Sequence, residues 1–258
     1  MTDLLAAEWL KLRTLRSTFV VLAVVAAILA AGLLLAWYMT GVWDGLTAEQ
    51  RARSGMSPPA YLVSWVGSLA LGVLGVLTIT SEYASGMIRA SVAAVPARGR
   101  LIAAKAAVAA AVALAAGLVA LFAAHHLSEV IVGGRPIPGL VTQGSQVLPL
   151  LATGLSMAVF ALLGLGLGVL TRSAAGSIAI VVALWHPLPI IVANLPEPWS
   201  EWLGSLMIAA LPGQIAGTGN ENSIFGDRLP PPIALVALLA YAAVPLALAA
   251  FTITRRDA

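Results

Sequence analysis

Cysteine is absent from this chain of 258 residues, and charged residues make up only 10% of it. Without cysteine there are no disulfides and no thiolate metal ligands, and cysteine usage gives no information on the redox compartment. Soluble domains carry about 25% charged residues. A chain that is 60% hydrophobic with so few charges therefore has the composition of a membrane protein.

Six apolar runs are long enough to cross a hydrocarbon core of about 30 Å, which takes roughly 20 helical residues. Between them no polar stretch is long enough to build a soluble domain. We therefore predict an all-α integral membrane protein with one membrane domain over residues 1–258. The first run is too long for a signal peptide and lacks a convincing Ala-x-Ala exit, so we interpret it as a retained helix. The predicted spans are 18–38, 61–80, 102–124, 147–170, 175–195 and 233–253.

The basic residues are unevenly divided between the two sides that these spans define. With an even number of spans both termini share one side, and that side holds ten of the fourteen Lys and Arg residues and four acidic ones. Because Lys and Arg favour the cytoplasm, we predict that both termini are cytoplasmic. The ten are Lys11, Arg13, Arg16, Arg89, Arg98, Arg100, Lys105, Arg172, Arg255 and Arg256.

The basic isoelectric point has its explanation in this topology, so no nucleic-acid partner is expected. Within the predicted spans, ionisable side chains are scarce and only His186 looks internal. Ion-coupled transporters place charged groups near the midplane. The sequence thus shows no machinery for using an ion gradient, and active transport would need energy from elsewhere.

The N-terminal residues 4–15 alternate apolar and charged positions in a rough helical pattern beside the first span. We predict an interfacial helix here, with Trp9, Lys11 and Arg13 as its interface residues. A frayed basic leader that only sets topology is the alternative.

Small residues are spaced for close helix packing in two of the spans. The patterns are Ser68-x-x-x-Gly72 in the second and Gly164-x-x-x-Gly168 in the fourth. Such spacing lets backbones approach where lipid supplies no hydrophobic drive. Arg172 and Ser173 then form a short cytoplasmic turn, which predicts a tight hairpin of spans four and five.

A second amphipathic stretch follows Pro198 on the external side. Trp199, Trp202 and Leu206 repeat at helical spacing, and the stripe continues through Leu203, Met207 and Leu211. We predict a short re-entrant or interfacial helix that Pro212-Gly213 ends, followed by loops at 218–222 and 230–232. An interfacial anchor built on the two tryptophans is an equally good interpretation.

Candidate catalytic and metal-binding residues are few, and we predict neither a catalytic nor a metal site. His125 and Glu129 stand four apart on one helix face, but a third ligand has no obvious spacing, so polar capping beside His126 is favoured. His186 precedes Pro187 in a span that prolines interrupt, where its imidazole could bond a freed carbonyl. No P-loop is present.

One of the densest groups of charges lies between the second and third spans, from Thr80 to Lys105. A helix could begin at Thr80-Ser81 with a hydroxyl as N-cap and Glu82 near its positive end, and Pro96 would stop it. A plain loop whose basic residues only set topology is the alternative.

Three motifs in the chain resemble those of ABC-2 type ABC transporter permeases, in particular the small bacterial type related to antibiotic- and bacteriocin-resistance exporters. They are Glu8-Trp-Leu-Lys-Leu-Arg13, Thr80-x-Glu82-Tyr83-x-x-Gly86-x-Ile88-Arg89, and Pro96-x-Arg98-x-Arg100 followed by Lys105. In that family the loop after span two is a coupling helix that docks on a separate ATPase. The resemblance thus implies a docking element formed by Glu82, Tyr83, Gly86, Met87, Ile88 and Arg89.

The same resemblance implies a permease in a bacterial cell membrane, dimeric with a second copy or a paralogue and surrounded by lipid. ATP and Mg would be bound by the partner ATPase, so no cofactor is expected on this chain. The transported compound would be an amphipathic or lipophilic drug, antibiotic, peptide or lipid. The alternatives are a non-transporting immunity or sensor scaffold that sequesters a ligand, and an intramembrane enzyme that would need His125, His126, Glu129 and His186 together.

Overall fold

The computed structural model describes residues 2–94, 98–139, 145–218 and 226–255. All regular secondary structure in these ranges is helical. The helices are α1 (Thr2–Thr14), α2 (Arg16–Gly45), α3 (Ala48–Arg53), α4 (Pro59–Ser85), α5 (Met87–Ala94), α6 (Arg98–Val132), α7 (Val147–Thr171), α8 (Ala174–Trp185), α9 (Pro187–Ala193), α10 (Trp199–Leu206), α11 (Leu211–Ala216) and α12 (Pro231–Arg255).

The six predicted spans are confirmed as α2, α4, α6, α7, α8 with α9, and α12, each long and apolar enough to cross a membrane. Two helices are much longer than the apolar runs that predicted them. α2 continues to Gly45, and α6 runs from Arg98 to Val132. Hydropathy marks only the length of a helix that lies in the hydrocarbon core, whereas the backbone hydrogen bonds continue into the polar flanks.

The two most buried spans, α4 and α7, pack against each other through small residues. A Cβ atom on Gly164 would overlap the carbonyl oxygen of Gly72, and one on Gly75 would overlap the carbonyl of Ala161. The predicted small-residue packing faces are therefore confirmed, since only glycine allows the backbones to come this close.

Span five is interrupted at His186, as the prolines predicted. α8 ends at Trp185, and Pro187 starts α9. We predicted that the His186 imidazole would hydrogen-bond a freed carbonyl. This is wrong for its Nδ1 atom, which is buried without a hydrogen-bond partner among the described residues. The ring instead stands edge-on to Trp65, with centroids 5.2 Å apart.

The external segment before α12 forms two short helices, not the single one that was predicted. Met207 has an extended backbone that ends α10, and Pro212 lies in the first turn of α11 and does not terminate a helix. Buried Gln214 explains the break, because its amide donates to the Ser205 carbonyl and accepts from the Leu229 amide, both at 2.8 Å. These long-range bonds outweigh the local helical pattern.

The helix bundle has two ends, and residues distant in sequence meet at the one that holds both ends of the chain. We call the end that holds α1, α5, the α7–α8 turn and the last turns of α12 the terminal end, and the other the opposite end. At the terminal end the Arg172 guanidinium lies 5.6 Å from the Tyr83 ring, and Arg98 donates to the Ile253 carbonyl at 2.9 Å. Both ends of the chain thus lie on one side of the bundle, as an even number of spans requires.

Candidate functional site

Three charged side chains from different helices meet in the interior at the terminal end. Glu8 of α1, Glu82 of α4 and Lys105 of α6 are 3%, 2% and 1% exposed. The Lys105 Nζ lies 2.5 Å from Glu8 Oε2 and 2.8 Å from Glu82 Oε1. We call these three residues, together with Lys11, the charge cluster.

Lys11 completes the charge cluster and connects it to α5. Its Nζ lies 2.7 Å from Glu8 Oε1 and 3.0 Å from Glu82 Oε1, and it donates to the Ser91 hydroxyl at 3.1 Å. Burial acts to lower the pKa of Lys11, but the hydrogen bonds to Glu8 and Glu82 outweigh it and raise the pKa above its ordinary value of 10.5. Lys11 therefore stays charged at neutral pH, and four helices share one network.

The charge cluster balances two carboxylates against two ammonium groups. Buried charges are tolerated only when they are paired and hydrogen-bonded, because desolvation costs several kcal/mol per ion. The prediction that only His186 is internal is therefore wrong. Lys105 was assigned to a cytoplasmic loop, but α6 begins at Arg98 and turns Lys105 inward two turns later.

The predicted start of a helix at Thr80-Ser81 is also wrong. α4 continues without interruption to Ser85, and the Thr80 hydroxyl donates back to the Val76 carbonyl at 2.9 Å. Glu82 thus lies in the last turn of a span and not at the positive end of a new helix. The chain turns at Gly86, whose φ of +72° is the left-handed conformation that commonly follows a helix and favours glycine.

The predicted docking element is therefore divided between α4 and α5. Ile88 is buried at 4% exposure in an apolar group with Ile79 and Ile102, and Tyr83 is half-buried beneath Arg172. Gly86, Met87 and Arg89 are exposed. Of the six predicted docking residues these three are thus exposed, Tyr83 is partly exposed, and Glu82 and Ile88 are buried. Pro96, Arg256 and residues 219–222, which the sequence interpretation also used, lie outside the described residues.

The N-terminal stretch is a helix, α1, and its side chains divide into two sets. Trp9 and Arg13 are exposed, with Trp9 at 49%, whereas Glu8 and Leu12 are buried and Lys11 points into the charge cluster. The exposed set has the aromatic and basic character of a membrane-interface surface.

The external stripe is exposed in part. Trp199, Trp202 and Leu206 are open, at 62%, 50% and 40%, whereas Met207, predicted to share their face, is buried at 8% because α10 ends before it. Arg228 pairs with Glu201 and lies 5.6 Å from the Trp202 ring.

His125, His126 and Glu129 come together at the far end of α6, where their candidate ligand atoms lie within 4.8 Å of one another. His126, the neighbour of His125, thus supplies the third candidate donor that the sequence interpretation did not assign. His186 contacts Trp65 of α4 instead, so the grouping that an intramembrane enzyme would need is not formed.

Six apolar helices with charged side chains concentrated at the two ends of the bundle define a multi-pass membrane protein. Its family follows from a comparison of the sequence with family models. The model described as ABC-2 family transporter protein matches residues 4–185, more than half of the chain, and the chain belongs to this family. It is thus a permease-type transport component, of a family that in general works with an ABC ATPase. None of the curated proteins compared with the chain matches it.

The matched region runs from α1 to the end of α8 and contains the whole charge cluster. Sequence reasoning missed that Glu8 and Lys105 meet, although a signal was present. Each of the three motifs that carry the family resemblance contributes one buried charge, namely Glu8, Glu82 and Lys105.

Proposed function

We propose that this chain is the membrane subunit of an ABC exporter, which moves an amphipathic or lipophilic compound outward with energy from ATP hydrolysis in a separate subunit. ATP and Mg are bound by that subunit, which docks on α5, and two membrane subunits form the working dimer. The observation that carries the proposal is the charge cluster, which ties α5 to spans α4 and α6 within the family-matched region.

The attachment of α5 favours transmission of force. Ile88 packs into the apolar group at the base of the bundle, and Ser91 accepts a hydrogen bond from Lys11 of the charge cluster. Because Glu8, Glu82 and Lys105 are desolvated, displacing one of these three alone would leave a buried charge without its full set of partners. A push on the exposed side of α5 is therefore expected to move α1, α4 and α6 together.

The charge cluster is a poor candidate for binding a coupling ion. The amines of Lys105 and Lys11 already neutralise the two carboxylates at 2.5–3.0 Å. This supports an external source of energy, since a transport ion would have to displace a lysine ammonium from a desolvated site.

An open apolar cavity supports a lipophilic cargo. It is a shallow depression of about 420 Å³ on the surface between α7, α8, α10 and α12, within the size range of small-molecule sites. The Tyr241 hydroxyl at its wall already donates to the Leu206 carbonyl at 2.9 Å, so the cavity offers mainly hydrocarbon contact. Its other lining residues include Leu163, Leu184, Ala240, Val244 and Pro245.

The test is purification of the full chain from its native membranes in mild detergent, with Mg-dependent ATP hydrolysis measured in the same fractions. Met87→Ala and Arg89→Ala should leave the amount of folded chain unchanged but reduce the co-purifying ATPase activity several-fold. Arg53→Ala, which removes an exposed cation at the opposite end, is the matched control. Activity that survives both α5 substitutions would show that the ATPase docks elsewhere, and its complete absence from the parent would contradict the exporter assignment.

A further inference from the structure

We propose that His125, His126 and Glu129 bind a divalent transition-metal ion of the zinc type at the opposite end of α6. The His125 Nε2 lies 3.6 Å from Glu129 Oε1, and the His126 Nδ1 lies 3.3 Å from Glu129 Oε2. One carboxylate thus presents a separate oxygen to each imidazole.

The position of the site makes it accessible to a dissolved ion. It lies 20 residues along α6 from Lys105, which corresponds to about 30 Å of helix, the thickness of a hydrocarbon core, and places it at the other end of the bundle from the charge cluster. The side chains of His126 and Glu129 are 65% and 57% exposed, and that of His125 is 18% exposed. In the orientation proposed above, the ion is taken from the external medium.

The spacing of the donor atoms fits a shared ion. Zinc binds histidine nitrogen and carboxylate oxygen at about 2.0–2.2 Å, so two ligands of a tetrahedral ion stand roughly 3.3 Å apart. Both His–Glu separations are close to this value, each to a different oxygen of Glu129. A shared ion therefore requires side-chain rotation that brings both imidazoles to one point, from a start in which all three ligand atoms lie within 4.8 Å of one another.

The donor set determines the class of ion. Two imidazoles and one carboxylate suit Zn²⁺, Cu²⁺ and Ni²⁺, whereas Mg²⁺ and Ca²⁺ require mostly oxygen ligands. Three protein ligands leave a fourth position for water, so the site resembles an open zinc site more than a closed structural one.

The same side chains could also form only a His–Glu ion-pair group, with the Phe122 ring stacked on His126 at 6.2 Å. A zinc titration separates the two arrangements. The full chain, purified without a polyhistidine tag, suits this measurement because it contains three histidines and no cysteine. Calorimetry with ZnCl2 against a chelator of known affinity should give one site per chain.

Loss of one ligand should weaken binding by more than about tenfold, since even indirect partners of a metal site contribute 10–100-fold. This is expected for His125→Ala, His126→Ala and Glu129→Gln. His186→Ala, which removes the remaining histidine, should bind as the parent does, and a millimolar excess of Mg²⁺ or Ca²⁺ should not compete.

Each variant is first compared with the parent in melting temperature without metal, so that misfolding is separated from ligand loss. The proposal is overturned if the parent takes up no zinc, if His125→Ala/His126→Ala keeps the parental affinity, or if Glu129→Gln binds as tightly as the parent. None of these results bears on the exporter assignment, which is tested by ATPase recruitment at the other end.

Discussion

The two ends of the bundle both carry ion pairs, yet they place them in opposite surroundings. At the terminal end Glu8, Glu82 and Lys105 are at most 3% exposed. At the opposite end the Asp44–Arg135 side chains are 51% and 36% exposed, and those of Glu49 and Arg53 are each 80% exposed. The distances are similar, with Arg135 Nε 2.7 Å from Asp44 Oδ1 and Lys105 Nζ 2.8 Å from Glu82 Oε1.

The comparison shows that distance alone does not determine what an ion pair contributes. In water the attraction is screened, and the entropy of fixing two long side chains offsets most of it. In the interior Glu8, Glu82 and Lys105 depend on one another and on the partly exposed Lys11, because solvent does not reach these three side chains. The charges at the terminal end must therefore stay matched, whereas the exposed pairs at the opposite end can separate in solvent at little cost.

The largest predicted effect concerns which side of the membrane each end of the bundle faces, and it is all-or-none. Since the parent has no cysteine, Ser85→Cys at the terminal end and Ala52→Cys at the opposite end each create a single exposed thiol. In sealed, right-side-out cells an impermeant maleimide should label the Ala52 variant completely and the Ser85 variant only after lysis. Labelling of the Ser85 variant in intact cells would reverse the proposed orientation.

A large loss of stability is expected from Lys105→Met, which leaves Glu8 and Glu82 with Lys11 as their only cation. Breaking a buried pair costs about 3–5 kcal/mol because an uncompensated charge remains in the interior. Thermal melting in detergent measures the loss.

The control is the triple variant Glu8→Gln/Glu82→Gln/Lys105→Met, which removes all three buried charges. It should recover much of the stability that Lys105→Met loses, because only Lys11 is then left without a counter-ion. A triple variant less stable than Lys105→Met would mean that the cluster stabilises the fold through its charges and not merely through their balance.

The smallest effect is expected from Asp44→Asn, which breaks the exposed pair with Arg135. Solvent takes over the hydrogen bonds of the guanidinium, so the melting temperature should hardly change, and raising the salt concentration should reduce any remaining difference because it screens the pair in the parent. A loss comparable to that of Lys105→Met would contradict the contrast between the two ends.

Much of the fold was predictable because it rests on local properties. Apolar runs indicate spans whatever their partners are, the small-residue spacing indicated the packing faces of α4 and α7 though not that they pack on each other, and Pro187 indicated the break in span five. The charge cluster was not predictable by the same reasoning. Glu8 and Lys105 are 97 positions apart, and a charge near a predicted span end has the same pattern whether it faces water or a buried partner.

The external helices show the same limit. The apolar stripe from Trp199 to Leu211 is helical in its period, but Ser205 and Gln214 bind backbone groups at Arg228 and Leu229. Those partners come from beyond the stripe, so no periodicity in residues 199–211 could reveal that the helix ends at Leu206. Likewise, the division of the docking element at Gly86 depends on its backbone conformation and not on the charges around it.

The glycine contact between α4 and α7 has a mechanical consequence for the whole bundle. Since Gly75 and Gly164 rest against the opposing backbone, neither helix can rotate or slide without a clash between main chains. We therefore expect α4 and α7 to move as one rigid unit, with α5 joined to its terminal end. If the chain is the membrane subunit proposed above, its shape changes are expected as shear between this unit and the less buried α2 and α12.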